Sequence, residues 1–384
     1  MNAVLDYLRQ HQDGMMADLR KLVERESPTT DKALVDDMAV LIAAYAERMS
    51  GGRATILPQA EWGNHVRVEV GGAGAGPGAG LPSLLLVGHF DTVWPAGTLV
   101  EMPFRVEGGR AYGPGAFDMK AGLVQAFWAL RALRELGAAF PPVVFLLNSE
   151  EEVGSPSSRS LIEEEARSAA VCMVLEPSAA GALKTARKGV GIFQVHVTGK
   201  AAHAGSDPFD GVSAIDEICR LTLDLHAQSS RQSGTTVNVG VIEGGTRGNV
   251  IAASARAGVD LRVATAAEAT RMERLILGLR PHDPRTVVNV DGGMNRPPME
   301  RTPRVVRLYE HSRALAAELG FPLPEASVGG GSDGNFCAAV NPSVIDGLGA
   351  VGAGGHALHE HVLVDHMAPR AALLARLLQT VHTV

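Results

Sequence analysis

Apolar residues recur along this chain in two periods, and the switches between them mark out the elements. Over residues 3–25, Val4, Leu8, Met15, Leu19 and Leu22 fall on one side of a helix, which stops at Ser27-Pro28. A second helical pattern covers residues 32–49 and ends at Gly51-Gly52. Residues 66–70 alternate as a strand and run into GGAGAGPGAG at 71–80. That run has no side chains to bury and reads as a mobile surface connection, since a phosphate cradle needs a Lys and a following helix. Residues 84–87, 143–147 and 171–175 are short continuous apolar runs, as in strands buried on both faces. Between the first two, Leu123, Phe127, Leu130 and Leu133 keep helical spacing. Strand, helix, strand in that order predicts an α/β layer on a mostly parallel sheet flanked by helices.

From about residue 189 the texture changes. A strand at 191–198, an amphipathic helix at 212–225, strands at 237–242 and 255–263, a helix at 266–279 and a strand at 287–290 follow one another. This β-α-β-β-α-β order is that of a ferredoxin-like α/β sandwich. Arg296-Pro297-Pro298 then leads back to a helical stretch at 305–319. A small domain at residues 188–298 is therefore expected to interrupt a larger one built from residues 1–187 and 299–384.

Composition narrows the function classes. The 384 residues suit two domains or one large one. A chain 46% hydrophobic and 20% charged is neither disordered nor collagen-like. With 35 Lys+Arg against 42 Asp+Glu, the net charge of −7 argues against a nucleic-acid partner. Cys172, Cys219 and Cys337 are odd in number and dispersed, so they read as buried thiols in a reducing compartment rather than a disulfide framework. The N-terminal residues show no signal-peptide pattern, and no uncharged apolar run approaches the ~18 residues that span a bilayer. A cytoplasmic location without a membrane partner is expected.

Candidate chemistry gathers where the apolar strands end. His89-Phe90-Asp91 follows the first, so two polar side chains share a side where α/β sheets place ligands; a loop His with a turn Asp is the plainer alternative. Asp118 stands before a helix and could be its N-cap. Glu150-Glu151-Glu152 follows five apolar residues, which makes a solvated face hard to arrange and asks for a cationic partner. Glu163-Glu164-Glu165 lacks that lead-in and reads as a solvated face. Glu176 ends the 171–175 run, and His356, His359 and His361 follow a late glycine stretch. Nitrogen and oxygen donors without thiolate suit a pair of divalent ions such as Zn²⁺, Co²⁺ or Mn²⁺.

Together with Ala201-Ala202-His203-Ala204-Gly205, these motifs resemble, in content and order, the M20 metallopeptidases. They look nearest to the glutamate carboxypeptidase branch, which is similar to succinyl-diaminopimelate desuccinylases and aminoacylases. The likeness runs from about Asp18 to the last helical stretch. It implies a zinc-exopeptidase-like catalytic domain with two divalent metal ions, zinc first, and an inserted lid that forms a homodimer. Asp118 would bridge the metals, His89 and Glu176 would complete one, and Glu152 and His356 the other, with His359 and His361 competing for the last place. Asp91 would support His89, and Glu151 would be the general base, leaving Glu150 spare.

The resemblance also assigns the lid. His203 would reach the neighbouring subunit's site and stabilise an oxyanion, against the alternative of a surface His. Asn249 is similar to a second lid contact, and Arg262 to the Arg that forks onto the substrate's terminal carboxylate. Lys184 and Arg187 match basic positions of the desuccinylase branch, or else form a solvated connection. Gly331 and Ser332 resemble a loop of backbone donors beside that carboxylate, the alternative being a helix N-cap by Ser332 or Asp333. The implied activity is metal-dependent amide hydrolysis releasing a C-terminal, glutamate-like amino acid from a small N-acyl or peptidyl substrate. An N-acyl-amino-acid deacylase or desuccinylase is the second reading. A non-catalytic metal- or peptide-binding relative is the third, and the presence of every ligand and the base argues against it.

Overall fold

The computed structural model describes residues 3–71 and 82–384, so all but the first residue of the 71–80 glycine run lies outside the described residues. The chain divides into two compact units. One takes residues up to Ala186, Arg301–Val328 and Ser332–Val384, and the other takes Arg187–Glu300 with Gly329–Gly331.

The first unit is built on a six-stranded sheet. Leu84–His89 lies inside it, with every residue buried. It runs parallel to Val143–Asn148 on one side and Cys172–Val174 on the other. Val344–Ile345 continues the parallel part, while His65–Val70 and Arg53–Leu57 are added antiparallel at the far edge. The expected mostly parallel layer thus holds for three of the five pairings. Of the two antiparallel pairings, the outer one has a simple cause: only a short loop joins Leu57 to His65, and a parallel crossover needs a dozen residues or more.

Helix Ala121–Glu135 is buried along nearly its whole length and packs against Met367–Thr380, which is almost as buried. At Gly122 a Cβ would stand 2.4 Å from the Leu175 carbonyl oxygen, so a glycine lets this helix approach the strand end that leads to Glu176. The opening helix expected over residues 3–25 is two helices, Ala3–Gln10 and Gln12–Val23. At His11 the backbone leaves helical geometry, and the ring stacks on Tyr7 and bonds its carbonyl at 2.8 Å. Both halves still bury the expected Val4, Leu8, Met15, Leu19 and Leu22. A second, small sheet joins Arg105–Glu107, Arg110–Tyr112, His361–Leu363 and Gly352–Ala353. Its strands are too short to show a period in the sequence.

The second unit is the β-α-β-β-α-β arrangement read from the sequence. Thr236–Gly244, Ser254–Val263, Gly189–Thr198 and Val287–Arg296 form an antiparallel sheet in that spatial order. Inward residues such as Phe193, Val195, Val197 and Leu261 pack with Ile218, Leu221, Met272 and Ile276 of helices Ala214–His226 and Ala266–Leu277. The last strand is longer than expected because Gly292 does not break it. A Cβ there would lie 2.2 Å from the Ile192 carbonyl, and glycine takes φ +110° without penalty. Among the described residues no helix is long and apolar enough to cross a membrane.

Candidate metal centre

Three parallel strands deliver the site by ending at the same edge of the sheet. His89 closes its strand directly opposite Asn148, so Glu151 and Glu152, just beyond Asn148, rise beside it. Glu176 follows the neighbouring Cys172–Val174 strand. Asp118 comes from the irregular Ala116–Lys120 turn and has no capping bond, because the helix starts only after Lys120. The Asp118–Met119 peptide bond is cis.

Asp118 faces two histidines with its two oxygens. Oδ1 is 3.3 Å from His89 Nε2, and Oδ2 is 3.5 Å from His356 Nε2. Glu176 Oε1 lies 3.8 Å from His89 Nε2, and Glu152 Oε2 lies 3.1 Å from His356 Nε2. Behind His89, its Nδ1 is 3.2 Å from Asp91 Oδ1 and 3.1 Å from the Asp91 carbonyl. Asp91 is itself held by the Thr29 hydroxyl at 2.7 Å and by the amides of Glu151 and Glu152 at 3.3 Å each. Two overlapping groups result, His89 with Asp118 and Glu152, and His89 with Glu151 and Glu176.

The electrostatics follow from packing carboxylates together. Burial raises the Glu152 pKa, and a hydrogen bond with His356 only partly opposes it. Burial also works against charge on Asp118 and His89, but their mutual hydrogen bond, with those to His356 and Asp91, prevails and keeps the carboxylate low and the imidazole high. Hydrogen bonds to Asp118 and Glu152 lift His356 to about 10. Glu152 Oε1 is buried with no hydrogen-bond partner. A field that draws protons onto two imidazoles, an orphaned carboxylate oxygen and an all-N/O donor set fit divalent cations.

His356, rather than its two competitors, is brought to this cluster. His361 turns its Nδ1 to the His359 carbonyl at 2.9 Å and its ring to Tyr112. Glu150 is fully buried and accepts from the Ser157 amide and hydroxyl at 2.7 and 2.8 Å and from Ser158. It anchors the start of helix Arg159–Ser168, where Glu163 and Glu165 pair with arginines.

The basic and loop positions divide between the two units. Lys184 and Arg187 lie three apart on the strand Leu183–Arg187, which puts them on opposite faces. Lys184 Nζ is 3.9 Å from Glu176 Oε2 and largely buried, so the solvated-connection alternative fails for it. Arg187 is buried and bonds the carbonyls of Gly330 and Gly331 at 3.1 Å each, so it shapes the glycine loop. Ser332 is the N-cap of helix Asp333–Val340, in a capping box with Asn335. Its amide donates to Asn335 Oδ1 and its hydroxyl to Asp346, so Ser332 fills the N-cap role and its own donors are engaged within the loop.

In the second unit His203 is exposed on a turn, and its Nδ1 accepts from the amides of Gly205 and Ser206 at 3.1 and 3.0 Å. The ring proton therefore sits on Nε2, which is left as a donor. Asn249 is exposed on the adjoining turn, where its carbonyl accepts from the Ala204 amide. Arg262 forks onto Asp260, with Nε and Nη2 each 2.8 Å from a carboxylate oxygen, a pairing the sequence reading did not include. Thr29 and Glu360 were also missed. Thr29 carries no pattern, and Glu360 lies between two candidate ligands, His359 and His361, as one more polar residue of a histidine-rich stretch.

The model for peptidase family M20/M25/M40 matches residues 85–380. Carboxypeptidase G2 of Pseudomonas sp. (strain RS-16) is 35% identical over 311 residues, spanning 78% of this chain and 74% of that protein. Acetylornithine deacetylase of Myxococcus xanthus is 30% identical over 321 residues, 78% of this chain and 80% of that protein. Among solved structures, aminopeptidase PepT of Bacillus cereus ATCC 10987 has a TM-score of 0.75 at 21% identity, covering 95% of this chain and 97% of that one, a likeness of fold.

Proposed function

The chain belongs to peptidase family M20/M25/M40, a family of metal-dependent hydrolases, and from that premise we propose that it uses two divalent metal ions to release a C-terminal acidic amino acid, glutamate first, from a small N-acyl or peptidyl substrate. The observation that carries the two-metal reading is Asp118, whose two oxygens face different histidines. Bound by His89, Asp118 and Glu176 and by Asp118, Glu152 and His356, two such ions, zinc first with cobalt or manganese as alternatives, would polarise the scissile carbonyl and acidify a water. Glu151, grouped with His89 and Glu176, takes a proton from that water and passes it to the leaving amine. Asp91 fixes the orientation of His89.

The remaining roles fall to the second unit, read as a lid and dimerisation domain over residues 188–298, with the catalytic domain from residues 1–187 and 299–384. His203 presents Nε2–H to the oxyanion in the neighbouring subunit, and Asn249 lies on the turn beside it. Arg262 takes the substrate carboxylate in competition with Asp260. A homodimer is supported by the edge strand Thr236–Gly244, which exposes Val241 and Ile242, and by Leu223 on the adjoining helix. Such an edge is a template for a second copy of itself.

Lys184 beside Glu176 and the deacetylase relative favour the second reading, an N-acyl-amino-acid deacylase or desuccinylase. Metal content measured alongside a panel of N-acyl amino acids decides. Acyl- and peptidyl-glutamates should be turned over best, with two metals per chain. Good turnover of N-acetyl or N-succinyl amino acids without turnover of the glutamates would reject the carboxypeptidase reading.

A further inference from the structure

We propose that Glu360 is the positioning residue that holds Asp118 ready for metal, by templating the turn that ends on Asp118 and tying it to the loop of His356. The inference rests on the reading of Asp118 and His356 as ligands. Glu360 is fully buried, and uncharged donors surround its carboxylate. Oε2 accepts from the Trp94 indole N–H at 2.8 Å and the Gly115 amide at 2.9 Å. Oε1 accepts from the amides of Phe117 at 2.8 Å and Asp118 at 3.0 Å. A carboxylate offers about four lone-pair directions, so its acceptor capacity is fully used.

Three of the four donors belong to one backbone turn, whose amides converge as they do around a bound anion. Here the chain supplies the anion itself. Gly115 makes the convergence possible, with φ +69° and only 2.4 Å between an added Cβ and Thr92 Cγ2. The Glu360 carbonyl also accepts from the Gly113 amide at 3.4 Å, and His361 next to it pairs with Tyr112. His356 stands four residues before Glu360 on the same segment. The Glu360 carboxylate thereby holds the Asp118 turn against the segment that carries His356, joining two stretches that lie far apart in sequence. A glutamine cannot replace it, because its NH₂ would confront two N–H donors and leave them buried without acceptors.

The test is a Co²⁺ titration of the metal-free enzyme, read by visible absorption, on wild type, Glu360→Gln, Glu360→Asp, Trp94→Phe and Asp118→Asn. Glu360→Gln should bind Co²⁺ about 10–100-fold more weakly, with altered absorption bands. Glu360→Asp should recover part of the affinity, since charge and acceptors remain. Trp94→Phe removes the one donor outside the turn and should stay near wild type. A folded Glu360→Gln protein with wild-type affinity and spectrum overturns the proposal, as does a Trp94→Phe loss equal to that of Glu360→Gln. If Glu360→Gln does not fold, Glu360→Asp decides by the same readout: weaker binding with shifted bands supports the proposal, and no change overturns it. Unchanged binding in Asp118→Asn would instead remove the ligand reading beneath it. Weakened binding there, with Glu360→Gln unchanged, overturns the positioning role alone.

Discussion

Glu151 and Glu152 are neighbours in the chain, yet they join different halves of the site. Glu152 meets His89 and Asp118, and Glu151 meets His89 and Glu176. Their amides donate to the two oxygens of Asp91, which pins the turn and lets the side chains diverge. If Glu151 is the base and Glu152 a ligand, the two glutamine variants should fail differently. Glu151→Gln should keep its metal while kcat falls about 10²–10⁴-fold. Glu152→Gln should lose metal in elemental analysis. A Glu151→Gln protein that loses metal to the same degree would make Glu151 a ligand.

His203 has its ring proton directed to Nε2 by two backbone amides. His203→Ala should lower kcat about 10²–10³-fold, the cost of one oxyanion donor. If the donor serves the partner subunit, dissociating and remixing His203→Ala with Glu151→Gln should create mixed dimers with one intact site. Equal mixing would restore on the order of a quarter of wild-type activity. A mixture no more active than its components means that His203 serves its own chain or no site at all.

Arg262 already grips a carboxylate, that of Asp260, with both ends of its fork. A substrate carboxylate would have to displace or share that partner. Arg262→Lys keeps the charge and loses the fork, so KM for an acylglutamate should rise about 10–100-fold with little change in kcat. Asp260→Asn should lower KM by removing the internal competitor. A KM that instead rises in Asp260→Asn would make Asp260 the residue that orients the fork.

The parts of the site that lie at strand ends were readable because buried parallel strands are continuous apolar runs, and His89, Glu150 to Glu152 and Glu176 begin where those runs stop. The pairing of Asp118 with His356 was not readable from spacing. It depends on the small sheet of Arg110–Tyr112 and His361–Leu363, three residues each, and on the Glu360 carboxylate. Family resemblance supplied what periodicity could not. Residues three apart on a strand face opposite ways, which separates Lys184 from Arg187. Ser332 shows the reverse difficulty, because a cap and a ligand donor use the same residue types in the same glycine-flanked setting.

His65 gives the fold a pH dependence separate from the metal ligands. It is fully buried, with Nδ1 3.0 Å from the Ser149 hydroxyl and Nε2 3.1 Å from that of Ser157. Burial lowers its pKa to about 4, against the weaker pull of Asp91 and Asp333. The unfolded chain binds this proton below about pH 6.5, whereas the folded chain does so only below about 4. In that window the unfolded state carries the extra proton, so stability rises with pH and is lost on acidification. The loss from this one residue should be on the order of 2 kcal/mol between pH 7 and pH 5. Urea midpoints of the chelator-treated protein at the two pH values measure it, and His65→Gln, which cannot titrate, should show a correspondingly smaller drop. Equal drops in the two proteins would mean that His65 takes its proton as readily folded as unfolded.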